Sequence, residues 1–215
     1  MNNRNAHIRE GTYAKLVARL YDPFMESLEQ KVLSRYRSEL LANLEGDVLE
    51  VGSGTGINFR LYPKKCRVLA SEPSEHMLKY AQFRYDNEVV EADIRLIQAG
   101  VGDPKLEELI PTEGLDAVVC TLVLCTIPEP ELAVQSFVKW LKPNGQLIIL
   151  EHVHGDSQPR KFLHNAINPL WKRLAEGCHV NRDTKKLLID TGFKPVWEKR
   201  FTKMIPFYVA KVVKV

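Results

Sequence analysis

Cysteine is scarce and scattered in this chain. Cys66, Cys120, Cys125 and Cys178 include no C-x-x-C pair, which argues against a structural zinc module or a disulfide framework and makes a reducing interior the default. The longest nearly unbroken apolar run, Ala117–Ile127, has eleven residues, too few to cross a bilayer. The opening stretch, MNNRNAHIREGTY, has no apolar core of the kind a secretory signal needs. Internal repeats and low-complexity tracts are absent, and no Gly-Lys-Ser/Thr marks a P-loop. What is present is ordinary globular usage: 215 residues, 45% apolar and 27% charged. A chain of this size buries a core without staples. The expectation is a single domain over residues 1–215 in a cytoplasmic setting, with peripheral contact with a membrane left open.

The net charge of +3 conceals an asymmetry. From Gln158 to the C-terminus there are 13 Lys/Arg and 4 Asp/Glu, a balance of +9, so the remainder sums to −6. A basic C-terminal quarter suits an anionic partner or simply a solvated face.

Along the chain, apolar residues from Tyr13 to Leu44 recur at steps of three and four, which predicts a helical lead-in broken at Asp22-Pro23. Five short apolar segments follow: 47–51, 67–71, 94–99, 115–120 and 146–150. Helical stretches at 74–85, capped by Ser74, and 130–141 separate some of them. Strands of continuous rather than alternating apolarity predict a parallel sheet covered on both faces. Residues 184–191 read as a helix, and 193–202 with 207–215 as a terminal antiparallel hairpin. The predicted division is a helical cap at 1–44, a core at 45–153, a substrate lid at 154–192 and the hairpin at 193–215.

Chemistry concentrates at Glu50-Val-Gly52-Ser53-Gly54-Thr-Gly56, after the first sheet strand. Glycines there permit a sharp turn and close approach of a ligand, and a helix start after them would offer free N–H groups. The spacing is not the dinucleotide fingerprint, because position 57 is Ile. Glu72 directly follows the second strand, where an acidic side chain can accept both ribose hydroxyls of a nucleoside.

These segments, with Glu72-Pro73-Ser-Glu-His-Met77, Leu115–Cys120 and Leu141-Lys-Pro-Asn-Gly145, resemble in order the motifs of class I S-adenosylmethionine-dependent methyltransferases over roughly residues 45–152. Tyr13 to Phe24 is similar to the lead-in of quinone and phospholipid methyltransferases. Val119–Cys125, Ile149–Val153, Asn168-Pro-Leu-Trp171 and Glu176-Gly-Cys178 resemble the membrane-associated alkyl-thiol methyltransferases. In that subgroup Asp is usual where this chain has Asn168 and Glu176, and the long apolar N-terminal segment of those relatives is not seen here. The resemblance implies an α/β, Rossmann-like sheet of seven mostly parallel strands with helices on both faces. It also implies S-adenosylmethionine as cofactor. Gly52, Ser53, Gly54 and Gly56 would take its amino-acid end, Glu50 would face its cationic part and Glu72 its ribose. Pro73 and Met77 would wall the adenine, and Gly100 and Val101 would meet its edge. Thr121 and Leu122 would contact the methionine portion, and Tyr13 and Tyr21 would close over the site or pack the lead-in helices.

Transfer of a methyl from a sulfonium needs alignment and a shaped, dry pocket. It needs a base only when the nucleophile carries a proton. His152 and Glu151, at the end of the fifth strand, are the candidates, ahead of His154, His164 and His179. Cys178 reads as a buried small residue, Cys120 and Cys125 as core or pocket wall. No metal is expected, since the Cys and His spacings match no standard pattern. Phe162, Leu163, Ile167, Leu170, Trp171 and Leu174 would give the lid an apolar face beside basic residues. The expected acceptor is a small, fairly apolar or amphiphilic molecule: a thiol, an amine or lipid head group, or a quinone-like ring. An RNA acceptor is the alternative suggested by the basic quarter, but Cys120-Thr-Leu-Val lacks the Asn/Asp-Pro-Pro-Tyr/Phe run of amino-methylating nucleic-acid enzymes. A non-catalytic cofactor binder is the third reading.

Overall fold

The computed structural model describes residues 32–155, 157–174, 177–202 and 206–214. Tyr13, Tyr21, the break at Asp22-Pro23 and most of the predicted lead-in lie outside the described residues, as does Glu176. The described chain begins with α1 (Ser34–Leu41), which buries Leu40 and Leu41. Then β1 (Gly46–Val51), β2 (Cys66–Ser71), α2 (Glu75–Asn87), β3 (Asp93–Ile97), α3 (Pro104–Glu107), β4 (Leu115–Thr121), α4 (Pro130–Trp140) and β5 (Leu141–His152) follow. The C-terminal part contains α5 (Gln158–Leu174), α6 (Thr184–Asp190), β6 (Phe193–Thr202) and β7 (Pro206–Lys214).

The seven strands form one sheet in the order β3-β2-β1-β4-β5-β7-β6. The first five are parallel, and β7 runs antiparallel to both β5 and β6. This is the Rossmann-like, mostly parallel sheet with a terminal antiparallel hairpin that the sequence implies. Alternate residues of each central strand enter different cores. Leu49, Val118, Leu147 and Ile149 point to one face with Phe137 and Trp140 of α4. Val48, Val119, Ile148 and Leu150 point to the other, with Leu40 and Leu41 of α1 and Phe207 of β7. Burial on both faces explains why these strands read as continuous apolar runs.

Local chemistry sets the helix ends. Ser74 Oγ accepts the Met77 N–H at 3.4 Å, and Asp183 Oδ1 accepts the Lys186 N–H at 3.1 Å, each a side-chain N-cap. Pro130 opens α4, where its missing N–H costs nothing. Pro195 sits on the edge strand β6, at an irregularity in its pairing with β7, as expected for a residue that cannot donate to a ladder.

Two expectations need correction. The glycine loop leads not into an α-helix but into turns and a 3-10 helix, Phe59–Leu61. The Lys142–Gly145 segment does not lie before the fifth strand but inside it. The β4–β5 register jumps from Leu115↔Leu141 to Ala117↔Gln146, and Asn144 absorbs the bulge at φ 65°. Asp103, whose side chain accepts from Lys105 N, caps the short helix α3, an element with too little periodicity to be read from sequence. Among the described residues, no helix is long and apolar enough to cross a membrane.

Ile149 is fully buried between β4 and β7. Ile149→Ala is expected to cost about 2–5 kcal/mol through lost transfer energy and a residual cavity. Urea denaturation checks this, and a loss below about 1 kcal/mol would contradict the packing described.

Candidate functional site

The strand order reverses direction between β1 and β4, so the chain leaves these neighbours on opposite sides of the sheet. Ligands of open α/β sheets bind in the crevice outside the carboxyl ends at such a switch point. The turns after β1, β2, β4 and β5 all meet there.

The β1 turn is shaped by glycine. Gly52 has φ 62°, and a Cβ there would lie 2.7 Å from the Val123 side chain. Gly54 has φ 57°, and among the described residues no atom lies within 4 Å of a built Cβ. Ser53 N–H donates to Ser71 O at 3.0 Å, tying the turn to β2. Ser53 Oγ is buried and has no partner among the described residues, a hydroxyl left for something else to satisfy. Gly56 packs against the Phe59 ring.

Glu72, only 8% exposed, closes the other side of this turn. Its carboxylate accepts the Gly54 N–H at 3.0 Å and the Ser74 N–H at 2.9 Å. Pro73 is exposed and Met77 half-buried on the following helix. The Pro73 ring lies 3.8 Å from where a Gly100 Cβ would stand, so the β2 and β3 turns do come together. Val101 is half-buried against the core of the α4 face.

Glu50 is buried on the opposite face, within a polar network. Asn58 Nδ2 and the Tyr62 hydroxyl donate to its carboxyl at 2.8 and 3.0 Å. Arg37 Nη1 donates to Asn58 Oδ1 at 2.9 Å and to Thr121 Oγ1 at 2.8 Å. Burial pushes the Glu50 carboxyl up to about 7, against the opposing pull of these hydrogen bonds and of the Arg37 charge. The sequence reading missed Arg37, Asn58 and Tyr62. They come from α1 and from the turns after the glycine loop, and no spacing rule links them to Glu50.

Leu122, just past β4, is a non-glycine residue at φ 63°, a strained conformation of the kind held at functional sites. What holds it follows directly. Leu122 N–H donates to Leu150 O at 2.7 Å. Val123 and Leu124 N–H then donate to Glu151 Oε1, each at 2.8 Å, and Cys125 N–H to Glu151 Oε2 at 3.4 Å. Glu151 is fully buried, and burial raises its carboxyl to about 7 despite these bonds. Backbone donors occupy both oxygens of this candidate base and tie it to the turn that follows β4.

His152, one residue on, faces the other way. Its ring meets Phe207 edge-on at 4.7 Å, and Nδ1 stands 3.8 Å from Cys178 Sγ. Its Nε2 is buried and has no partner among the described residues. His154 is bound up in the fold, with Nε2 3.0 Å from Asp183 Oδ2 and Nδ1 2.7 Å from Gly155 O. His164 accepts the Gly155 N–H at 3.2 Å. Asn168 Oδ1 accepts the Val180 N–H at 3.1 Å, and its amide lies 3.2 Å from His179 Nδ1.

The donor set suits a zwitterionic nucleoside sulfonium. The orphaned Ser53 hydroxyl and open Gly54 turn could receive its amino-acid end. Glu72 could offer a carboxylate to ribose hydroxyls, and Glu50 is a buried acid on the far face. Fold and site together define a class I methyltransferase. Residues 49–149 match the methyltransferase domain family. The chain is 31% identical over 198 residues to thiol S-methyltransferase TMT1B of Rattus norvegicus, covering 90% of this chain and 79% of that protein. It is 29% identical over 124 residues to the phosphatidylethanolamine N-methyltransferase of Cereibacter sphaeroides, covering 57% and 58%. Among solved structures, the N-methyltransferase NodS of Bradyrhizobium japonicum with S-adenosyl-L-homocysteine superposes with a TM-score of 0.62 at 17% identity, covering 91% of this chain and 90% of that one. The chain belongs to the S-adenosylmethionine-dependent methyltransferases, and S-adenosylmethionine is its cofactor.

Glu72→Ala removes an acceptor of two charge-assisted hydrogen bonds and the carboxylate expected to receive the ribose hydroxyls. Binding of S-adenosylhomocysteine is expected to weaken at least about a hundredfold, given roughly 1.5–3 kcal/mol for each such bond. Calorimetric titration of a variant with wild-type circular dichroism checks it, and unchanged affinity would remove Glu72 from the site.

Two buried carboxyls raised to about 7 also set a pH dependence. Between the ordinary carboxylate range and about 7 the folded chain binds more protons than the unfolded one, so stability falls as pH rises through that window. Urea denaturation is expected to show a more stable protein near pH 5.5 than near pH 8 once exposed groups are accounted for. Glu50→Gln is expected to flatten part of the slope. An identical slope in that variant would show that Glu50 is already ionised in the folded state.

Proposed function

We propose that this methyltransferase transfers its methyl group to the sulfur of small, apolar thiols. One observation carries the reading: the His152 ring stands at the carboxyl end of β5 with its Nε2 buried and without a partner among the described residues. When Nδ1–H points to Cys178 Sγ, Nε2 keeps a bare lone pair. A thiol is a weak acid and attacks well only as its thiolate. Imidazole is the side chain whose chemistry suits taking a proton near neutral pH.

The cofactor supplies an electrophilic methyl on a sulfonium. The chain's contribution is placement and proton handling. Gly52–Gly56, with Ser53, would seat the amino-acid end of the cofactor. Glu72 would hold the ribose, Pro73, Met77, Gly100 and Val101 would enclose the adenine, and Thr121 and Leu122 would border the methionine portion. Glu50 would balance positive charge there. His152 Nε2 would take the thiol proton, leaving a thiolate whose charge is lost as the new carbon–sulfur bond forms. Charge neutralisation of this kind is favoured where water is excluded. Similarity to TMT1B of Rattus norvegicus, named for thiol S-methylation, supports the same acceptor. Phe162 and Leu163 are exposed on α5 beside Arg160 and Lys161, a surface suited to an amphiphilic acceptor or to peripheral membrane contact.

Methyl transfer from labelled cofactor is measured against alkyl thiols, a phosphatidylethanolamine dispersion, a quinol and bulk RNA. Transfer to thiols is expected. His152→Ala is expected to lower kcat/KM for thiols by roughly 10²–10⁴ while leaving S-adenosylhomocysteine affinity within about twofold of wild type. Transfer to lipid, quinol or RNA but not to thiols would replace the acceptor while keeping the cofactor site.

A further inference from the structure

Three segments remote in sequence bring two thiols and an imidazole together. Cys125 belongs to the turn after β4, His152 ends β5, and Cys178 lies between α5 and α6. Cys125 Sγ, Cys178 Sγ and a ring nitrogen of His152 all lie within 4.8 Å of one another. Cys178 Sγ is 3.8 Å from His152 Nδ1. Both cysteines are buried and unbridged.

From these donors we infer that Cys125, His152 and Cys178 form a binding site for a thiophilic divalent cation, zinc by its ligand chemistry, with a fourth position left to water or another external ligand. Two sulfurs and one imidazole form a ligand set that zinc takes when one position stays open. Tetrahedral zinc bond lengths put the two sulfurs roughly 3.8 Å apart and each roughly 3.6 Å from the nitrogen. The S···N separation of 3.8 Å therefore needs only slight closure. The charges balance as well. Binding releases the two thiol protons to solvent, and two thiolates neutralise the dication, as a buried location demands.

The fold already holds the donors in place. Glu151 grips the backbone up to Cys125, Cys125 O accepts the His179 N–H at 2.8 Å, and Phe207 supports the His152 ring. A site assembled before the ion arrives carries less ordering cost. This reverses the sequence expectation of no metal. That expectation rested on local spacing, whereas His152 and Cys178 are 26 residues apart. The inference concerns cation binding and stands whatever the acceptor is; a cation held by Nδ1 leaves the imidazole proton on Nε2, so His152 would take a thiol proton only in the cation-free chain.

The test uses the full chain, reduced with a phosphine and stripped of metal by a chelator, titrated with Co²⁺ and then Zn²⁺. The expected result is a single equivalent of cobalt. It should show a thiolate-to-cobalt charge-transfer band and the intense visible bands of four-coordinate cobalt, all displaced by one equivalent of zinc. Cys125→Ser and Cys178→Ser are each expected to weaken binding by at least about tenfold, the lower bound for residues that merely support ligands. The double variant is expected to lose the charge-transfer band. Cys66→Ser, altered at the amino end of β2, is expected to keep it. S-adenosylhomocysteine binding by each variant reports retained folding. Cobalt uptake without the charge-transfer band, or a band that persists in the double variant, overturns the site. So does no uptake by a chain whose four thiols titrate as free, or a Cys125–Cys178 disulfide that survives the reductant. Thiol methylation is measured separately on the chelated and the zinc-loaded chain: a failed cation site leaves the acceptor reading intact, and loss of thiol transfer on zinc loading is expected if His152 is the base.

Discussion

The Glu151 carboxyl is buried beneath the turn that follows β4, where it accepts backbone N–H groups from Val123, Leu124 and Cys125. Much of the site depends on that grip. It supports the left-handed Leu122, sets Val123 against Gly52, and carries Cys125 toward Cys178 and His152. A carboxyl without those donors would be costly at full burial. The three N–H groups would likewise be orphaned without it, because a turn leaving a strand has no ladder partner for them.

Burial and hydrogen bonding compete at both internal acids. Glu50 on β1 and Glu151 on β5 flank β4 and point to opposite faces, each accepting several donors and each still raised to about 7 by desolvation. Around Glu50 the cation Arg37 donates to Asn58 and Thr121, and its charge acts on the acid. Polar contacts thus reach from α1 to the ends of β1 and β4. A network of this kind is rigid when every member is satisfied, and it places a titratable acid at the switch point of the sheet.

Much of the fold was legible because its signals are local. Apolar runs marked the parallel strands, Ser74 marked a helix start, and the hairpin boundaries near Phe193 and Thr202 followed from composition alone. Errors fell where local signals conflict with pairing. Lys142-Pro-Asn-Gly145 reads as a loop, yet the bulge opposite Leu115 keeps it in the strand. The glycine turn looks like a helix start, yet Gly56 lies against the Phe59 ring and the chain continues as a 3-10 turn. Within the site, Glu50, the glycines and Glu72 stood out because each follows a strand end. Arg37, Asn58 and Tyr62 did not, since ordinary residues acquire a role only by proximity.

The sequence by itself determined the sheet, its polarity and the chemical character of its β1 and β2 turns, because burial patterns and turn chemistry act over a few residues. Tertiary structure decided what individual side chains do. Glu151 and His152 are neighbours in the chain and looked like equivalent bases. The pleat of β5 sends one toward three backbone donors and the other toward Phe207 and Cys178. Strand alternation makes adjacent residues face opposite sides of a sheet, and only the packed chain shows what waits on each side.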